Sequence, residues 1–388
     1  MVAGRSSSSR RDARRRLGGA LAVLAAGGLV LAGCAGETAE TDAAPTASAS
    51  AAPSSSAPST SEPGEPAAVV PQGEPMTVAA DLVAPWSVAV VGETVLVSER
   101  DTGDIREIVK DSTRVVGTVP GVVFGGEGGL LGIAADGDDG LFVSSTGPDG
   151  NRVQRFDVSG APGSLALGDA ETLLDGIPSA RTHNGGRIAI GPDGMLYVTT
   201  GDANVPDLAQ DRDSLAGKIL RMTPEGAVPA DNPFPDSFVY SLGHRNPQGI
   251  AWAEDGTLFA SEFGQNTWDE LNLITPGANY GWPVVEGQGG GADFVDPVQQ
   301  WSTAEASPSG IAVIEGTVFI ANLRGERVRA VPVADPSTAT EYYVGELGRI
   351  RDVVAAPDGD LWILTGNTDG RGAGPRDGDD RLLTVAVG

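Results

Sequence analysis

Cysteine is almost missing. Cys34 is the only one in 388 residues, so no disulfide can close within the chain and no cluster of thiolates can hold a metal. Histidine is nearly as scarce, with only His183 and His244, which excludes a centre built from several imidazoles. Basic side chains are outnumbered two to one: 26 Lys and Arg stand against 52 Asp and Glu, a formal net charge of −26. Nucleic acid is therefore excluded as a partner, because phosphate binding requires a basic stripe. The acidity itself suits a solvated surface. The apolar run over residues 17–31 is about 15 residues long, short of the roughly 20 that a membrane-spanning helix needs. Glycine and proline are plentiful, 55 and 27, as a fold of short strands and tight turns requires.

The single cysteine has a telling context. Arg10, Arg11, Arg14, Arg15 and Arg16 precede the apolar run, and Leu31-Ala32-Gly33 leads directly into Cys34. This is the layout of a secretory signal with small residues at its cleavage site. It resembles a bacterial lipobox, which implies a signal peptide over 1–33 and a lipid on Cys34 that anchors the protein at the outer face of the cell membrane. Residues 34–75 are Ala, Ser, Thr, Pro and Glu with almost no large apolar side chain. Such a stretch buries too little surface to offset its ordering entropy, so a disordered tether is expected there.

From Met76 onward one pattern recurs: an apolar run, an acidic-Gly turn, a second apolar run. It falls at residues 87–97, 131–144, 188–199, 250–261, 311–321 and 353–365, with Gly92, Asp139-Gly140, Asp193-Gly194, Asp255-Gly256, Glu315-Gly316 and Asp358-Gly359 at the turns. Asp-Gly between such runs marks a hairpin, because the turn needs a positive φ. Six copies over about 310 residues leave roughly 50 each, the size of a four-stranded propeller blade. The expected fold is all-β, a six-bladed β-propeller over 76–388. A strand from the N-terminal side, near residues 77–82, is expected to close the ring so that no sheet edge stays open.

Both histidines lie in polar, Gly-rich loops just before a blade's strand: Arg181-Thr182-His183-Asn184-Gly185-Gly186-Arg187 and Gly243-His244-Arg245-Asn246-Pro247-Gln248-Gly249. Propeller loops at one end ring the central channel, so each segment can deliver its His or Arg to one pocket. A neutral imidazole there is a natural general base near neutral pH. The loop 201–213 is acidic, with Asp202, Asp207, Asp211 and Asp213; it offers hydrogen-bond acceptors, or is equally a solvated loop.

The second of these loops is followed by Ser261-Glu262-Phe263-Gly264, Asp269-Glu270-Leu271-Asn272 and Asn279-Tyr280-Gly281-Trp282-Pro283. Together with Gly126-Glu127-Gly128-Gly129 and Arg349-Ile350-Arg351-Asp352, these blocks resemble the glucose/sorbosone dehydrogenase family over residues 80–388. The resemblance implies an enzyme that oxidises aldose sugars to lactones with pyrroloquinoline quinone and Ca2+, outside the membrane, and passes electrons to a respiratory or artificial acceptor. It implies that His183 is the base that takes the C1 hydroxyl proton. Arg245 and Asn246 are implied beside the quinone oxygens, and Glu127 at a catalytic position where soluble glucose dehydrogenases have Gln. Arg324, Arg349 and Arg351 are implied as holders of the cofactor carboxylates. The carbonyls of Gly264 and Gln265 are implied as calcium ligands, and Glu270 with the Tyr280 carbonyl as a second calcium site. Three positions depart from the family's pattern: Thr182 where an orienting Asp is usual, Glu305 in the stretch expected over the quinone, and the displaced Trp301. They support a second expectation, a cofactor-free propeller that binds an envelope ligand or partner through the same channel.

Overall fold

The computed structural model describes residues 68–110 and 112–388. The expected signal segment, Cys34 and most of the expected tether lie outside the described residues. Among these, twenty-four strands form six antiparallel sheets of four, and the only helical piece is a short 3-10 turn at Pro206–Ala209. Each hairpin read from the turn signals supplies the first two strands of one blade: Pro85–Val91 with Thr94–Glu99, Leu130–Asp136 with Gly140–Gly147, Ile188–Ile190 with Leu196–Thr200, Pro247–Trp252 with Leu258–Glu262, Pro308–Ile314 with Thr317–Asn322, and Ile350–Ala355 with Leu361–Thr365. The first strands of neighbouring blades touch all the way round, which makes the molecule a closed six-bladed β-propeller.

Five of the expected turn glycines have the positive φ the hairpins require: Gly92, Gly194, Gly256, Gly316 and Gly359. The second blade differs. Gly140 is already in the strand, and the left-handed residue is Gly137 at φ 66°, so the chain reverses a few residues earlier than the Asp139-Gly140 pair suggests.

The closing strand is Pro71–Ala79, which pairs antiparallel with Leu382–Val387 as the outermost strand of the sixth blade. It begins and ends earlier than the expected 77–82, so residues 71–75, expected in the tether, are strand. The reason is chemical: an outermost strand leaves most of its side chains in solvent, so Pro71-Gln72-Gly73-Glu74-Pro75 has no apolar alternation to read. Proline is tolerated there because an edge strand need not donate on its outer side.

Six clusters of buried apolar side chains fill the seams, each between two adjacent blades. Leu96 and Ile105 of the first blade meet Leu130, Leu141 and Phe156 of the second. Val88 and Val97 meet Trp362, Leu364 and Leu382, which seals the ring. Each fully buried Leu or Phe contributes about 1.5–3 kcal/mol. The channel is polar instead. Arg187 pairs with Asp352 at 2.6 Å and donates to the Gln248 carbonyl at 2.8 Å and the Ser87 hydroxyl at 3.1 Å. Its guanidinium lies 4.3 Å from the Trp86 ring. This buried network ties the first, third, fourth and sixth blades at the axis.

Candidate active site

In an antiparallel hairpin the start of the first strand and the end of the second lie at the same end. Glu127, His183, Arg245 and Arg349 all sit just before the first strand of their blades, and Asp202 and Arg324 just after a second strand. The fold therefore delivers all six to one mouth of the channel.

His183 has φ 61°, a left-handed conformation that is strained for a residue with a Cβ. Its neighbour across the hairpin must be glycine: a Cβ on Gly201 would stand 2.1 Å from the His183 carbonyl oxygen. This contact brings Asp202 against the imidazole. Asp202 Oδ1 lies 2.7 Å from His183 Nδ1, and its Oδ2 accepts from the Trp282 indole at 2.8 Å. On the other side, Arg245 Nη2 donates to His183 Nε2 at 2.9 Å. A guanidinium only donates, so Nε2 is the acceptor nitrogen and the ring proton sits on Nδ1 toward Asp202. Burial drives the Asp202 carboxyl upward, but the hydrogen bonds from His183, Trp282 and the Asn204 amide outweigh it and hold the group below the usual carboxylate range. Asp202 is therefore a buried carboxylate that orients the imidazole. Thr182 stays at the surface on Asn204.

Arg245 also donates to the Phe263 carbonyl at 3.0 Å, and its Nε is buried with no hydrogen-bond partner among the described residues. Burial lowers its pKa against the pull of Asp202, Glu262 and Glu127. Glu127 Oε2 accepts the His183 amide at 2.9 Å and faces the Asn246 amide nitrogen at 3.5 Å. Asn246 is buried, and its carbonyl oxygen accepts from Gly185 at 2.9 Å, bracing the loop after His183. His244 points the other way. It is buried between Ser241 and Glu262, at 2.8 and 2.9 Å, and stacks on Tyr280. Glu262 in turn accepts the backbone amides of Arg245 and Asn246. The second histidine thus braces the loop and does not reach the site.

Beside this cluster opens a cavity of about 400 Å3, lined by Glu127, Phe263, Arg324, Glu326, Arg349 and Arg371 among others. Asp369 is the hub of its arginines. It holds Arg349 at 2.8 Å, lies 3.7 Å from Arg351, and accepts the Arg371 amide at 2.9 Å. Arg351 stands deeper, on Gln248 at 3.0 Å, and burial with Arg100 nearby pushes its pKa down to about 9. Arg324 is exposed and reaches only the Thr303 carbonyl, at 3.4 Å. Glu305 does not enter the cavity: its carboxylate takes the Ser302 hydroxyl at 2.7 Å in an exposed loop. Trp301 lies under Arg329, at the seam between the fourth and fifth blades.

The residues expected around calcium converge in part. Gly264, Glu270 and Tyr280 line one small cavity of about 10 Å3, together with Glu262, Glu286 and Arg245. Burial and the neighbouring Glu262 push Glu270 up to about 8. Gln265 lies outside this lining, its amide on Glu286 at 2.7 Å. No group of three His, Cys, Asp or Glu among the described residues is arranged to hold a metal by side chains alone, so a cation there needs backbone carbonyls as well.

Asp202, Asp369 and Arg371 are site residues that the motif blocks do not single out for these roles. The available signal for Asp202 is its place: Gly201-Asp202 directly follows the second strand of the very blade whose first strand follows His183.

Fold and site define a six-bladed propeller with an oriented imidazole beside an arginine-lined cavity. The family model for Glucose / Sorbosone dehydrogenase matches residues 82–374, and the chain belongs to that family. A quinoprotein glucose dehydrogenase B from Acinetobacter calcoaceticus is 35% identical over 230 residues, 49% of this chain and 48% of that protein. The chain thus matches about half the length of that relative. The aldose sugar dehydrogenase of Escherichia coli K12 is 31% identical over 330 residues, covering 74% of this chain and 88% of the relative. The solved PQQ-bound form of an aldose sugar dehydrogenase from Streptomyces coelicolor superposes with a TM-score of 0.78 at 49% identity, over 83% of this chain and all of that one.

Proposed function

We propose that this protein is an oxidoreductase that oxidises aldose sugars at C1 to lactones, with pyrroloquinoline quinone as cofactor. The observation that carries the reading is the His183 imidazole, held by Asp202 and Arg245, one carboxylate away from an arginine-lined cavity. The donor set fits the cofactor: Arg324, Arg349 and Arg371 suit a flat tricarboxylate, because guanidinium forks receive carboxylates bidentately. When bound, the quinone supplies the acceptor for the hydride that leaves C1.

The C1 hydroxyl replaces the Arg245 N–H at His183 Nε2 and gives its proton to that nitrogen, and the imidazolium so formed keeps its Nδ1 proton on Asp202. Arg245, moved off Nε2 by the hydroxyl, stays within reach of the hydroxyl oxygen and of negative charge developing near it. Glu127 and Asn246 keep the two loops in register. Calcium is a second proposed cofactor. One ion is proposed on the Gly264 and Gln265 carbonyls and a second on Glu270 with the Tyr280 carbonyl; Gly264, Glu270 and Tyr280 line one small cavity, and Glu270, pushed toward protonation by burial, is an acid that a cation suits. Location is also a proposal: a lipid on Cys34 holds the protein at the outer face of the membrane, where electrons pass to a respiratory acceptor.

The test is reconstitution with pyrroloquinoline quinone and calcium, followed by dye reduction with a panel of aldoses. Turnover that disappears in Glu127- and Arg245-intact His183→Ala supports the reading. Absence of quinone binding at micromolar concentration sinks it. For the anchor, Cys34→Ala releases the protein into the medium; retention in the membrane fraction refutes lipidation.

A further inference from the structure

Glu127 poses an electrostatic problem. It lines the same cavity as Arg324 and Arg349, so an unpaired carboxylate there opposes the entry of any carboxylate-bearing ligand. Its Oε2 is committed to the His183 amide. Its Oε1 receives Arg371 Nη1 at 3.2 Å, from a residue 244 positions away in the loop between the last two strands of the sixth blade. The pair thus spans the mouth from the second blade to the sixth.

Arg371 is also free to do more. Its side chain is 43% exposed, it lines the cavity, and beyond Nη1 its guanidinium has no hydrogen-bond partner among the described residues. The backbone is not loose: its amide is fixed on Asp369, which also holds Arg349. Two arginines are therefore set by one buried carboxylate on the wall where an anion must dock, and only one of them carries the Glu127 charge.

We propose that Arg371 is the counter-ion that lets Glu127 stand in this cavity, and that its remaining N–H groups take a carboxylate of the quinone. The inference rests on the cofactor reading above. A guanidinium has five donors, so serving both partners requires no exchange between them. Glutamine at position 127 makes the counter-ion dispensable; glutamate makes it necessary.

The test is equilibrium dialysis of pyrroloquinoline quinone, with calcium and without sugar, against wild type, Arg371→Gln, Glu127→Gln and the double variant. Arg371→Gln binds about tenfold more weakly. Glu127→Gln binds as tightly as wild type or tighter. The double variant recovers the part of the loss owed to the unpaired acid and stays weaker than Glu127→Gln, because the contact of Arg371 with the quinone carboxylate is gone. Arg371→Gln binding like wild type, or a double variant as weak as Arg371→Gln, overturns the inference while leaving the functional reading intact. A wild type that does not bind the quinone overturns both. Should Arg371→Gln melt early, Arg371→Lys and Glu127→Gln decide: Lys keeps the charge beside Glu127 but loses the guanidinium fork, so it binds more tightly than Arg371→Gln and more weakly than wild type, and weaker binding by Glu127→Gln refutes the pairing.

Discussion

Asp202 and His183 stand 19 positions apart and meet at 2.7 Å across the open end of one hairpin, with the Asp202 carboxylate fully buried. The pair is possible because Gly201 carries no side chain where the His183 carbonyl passes. An imidazole placed in this way has one tautomer and one orientation, and the nitrogen left to work faces Arg245.

Removing the proposed base is the most direct probe. His183→Ala lowers kcat by about 10²–10⁴-fold, the usual contribution of a positioned general base. Steady-state dye reduction at saturating quinone measures it, and quinone binding by dialysis stays near wild type. A variant with nearly full turnover places the base elsewhere.

Asp202→Asn tests orientation separately from basicity. An amide can donate to Nδ1, which moves the ring proton to Nε2 and blocks it as an acceptor. The expectation is a loss in kcat of about a hundredfold or more, with a much smaller change in KM. Equal losses in both constants point instead to a damaged sugar pocket.

Lys218 gives a prediction on pH. Its ammonium is buried and donates to the carbonyls of Leu208, Ala209 and Ala216, and burial pulls its pKa down from 10.5 to about 8. Between these values the folded protein binds fewer protons at this site than the unfolded chain. Its contribution to stability therefore rises as pH increases from about 8 toward 10.5. Wild type is expected to gain on the order of 2 kcal/mol relative to Lys218→Met between pH 8 and 10. Paired urea titrations at the two pH values measure this; a difference that stays flat or falls contradicts it.

The channel network makes a stability prediction. Arg187→Ala strands the buried Asp352 carboxylate, whose pKa burial already pushes upward. Breaking such a pair costs about 3–5 kcal/mol. Chemical denaturation is expected to show this, with Asp352→Asn in the Arg187→Ala background recovering part of the loss. Additive losses in the double variant indicate that the two side chains act independently.

Much of the site was legible as residue types in motif blocks. His183, Arg245, Asn246, Glu127 and Arg349 all come to one channel mouth, because each precedes the first strand of its blade. What could not be read was the partner of each. The orienting carboxylate is Asp202 rather than a neighbour of His183 in the chain. Glu305 turns out to Ser302. Arg351 lies behind Arg349 although the two are separated by one residue.

The chain alone determined the propeller. Hairpin turns are local chemistry, an acidic residue and a glycine, with the expected glycine at positive φ in five of six, and six such turns at blade spacing admit little else. Scarcity likewise settled what the protein lacks: with one cysteine and two histidines, neither a disulfide nor a histidine-rich metal centre is available. Only the tertiary structure decided which charges meet. Closing the ring brings Glu127 to Arg371 and Arg187 to Asp352, pairs separated by 244 and 165 positions. No local pattern encodes such a meeting, because it depends on the sixth blade returning to the first.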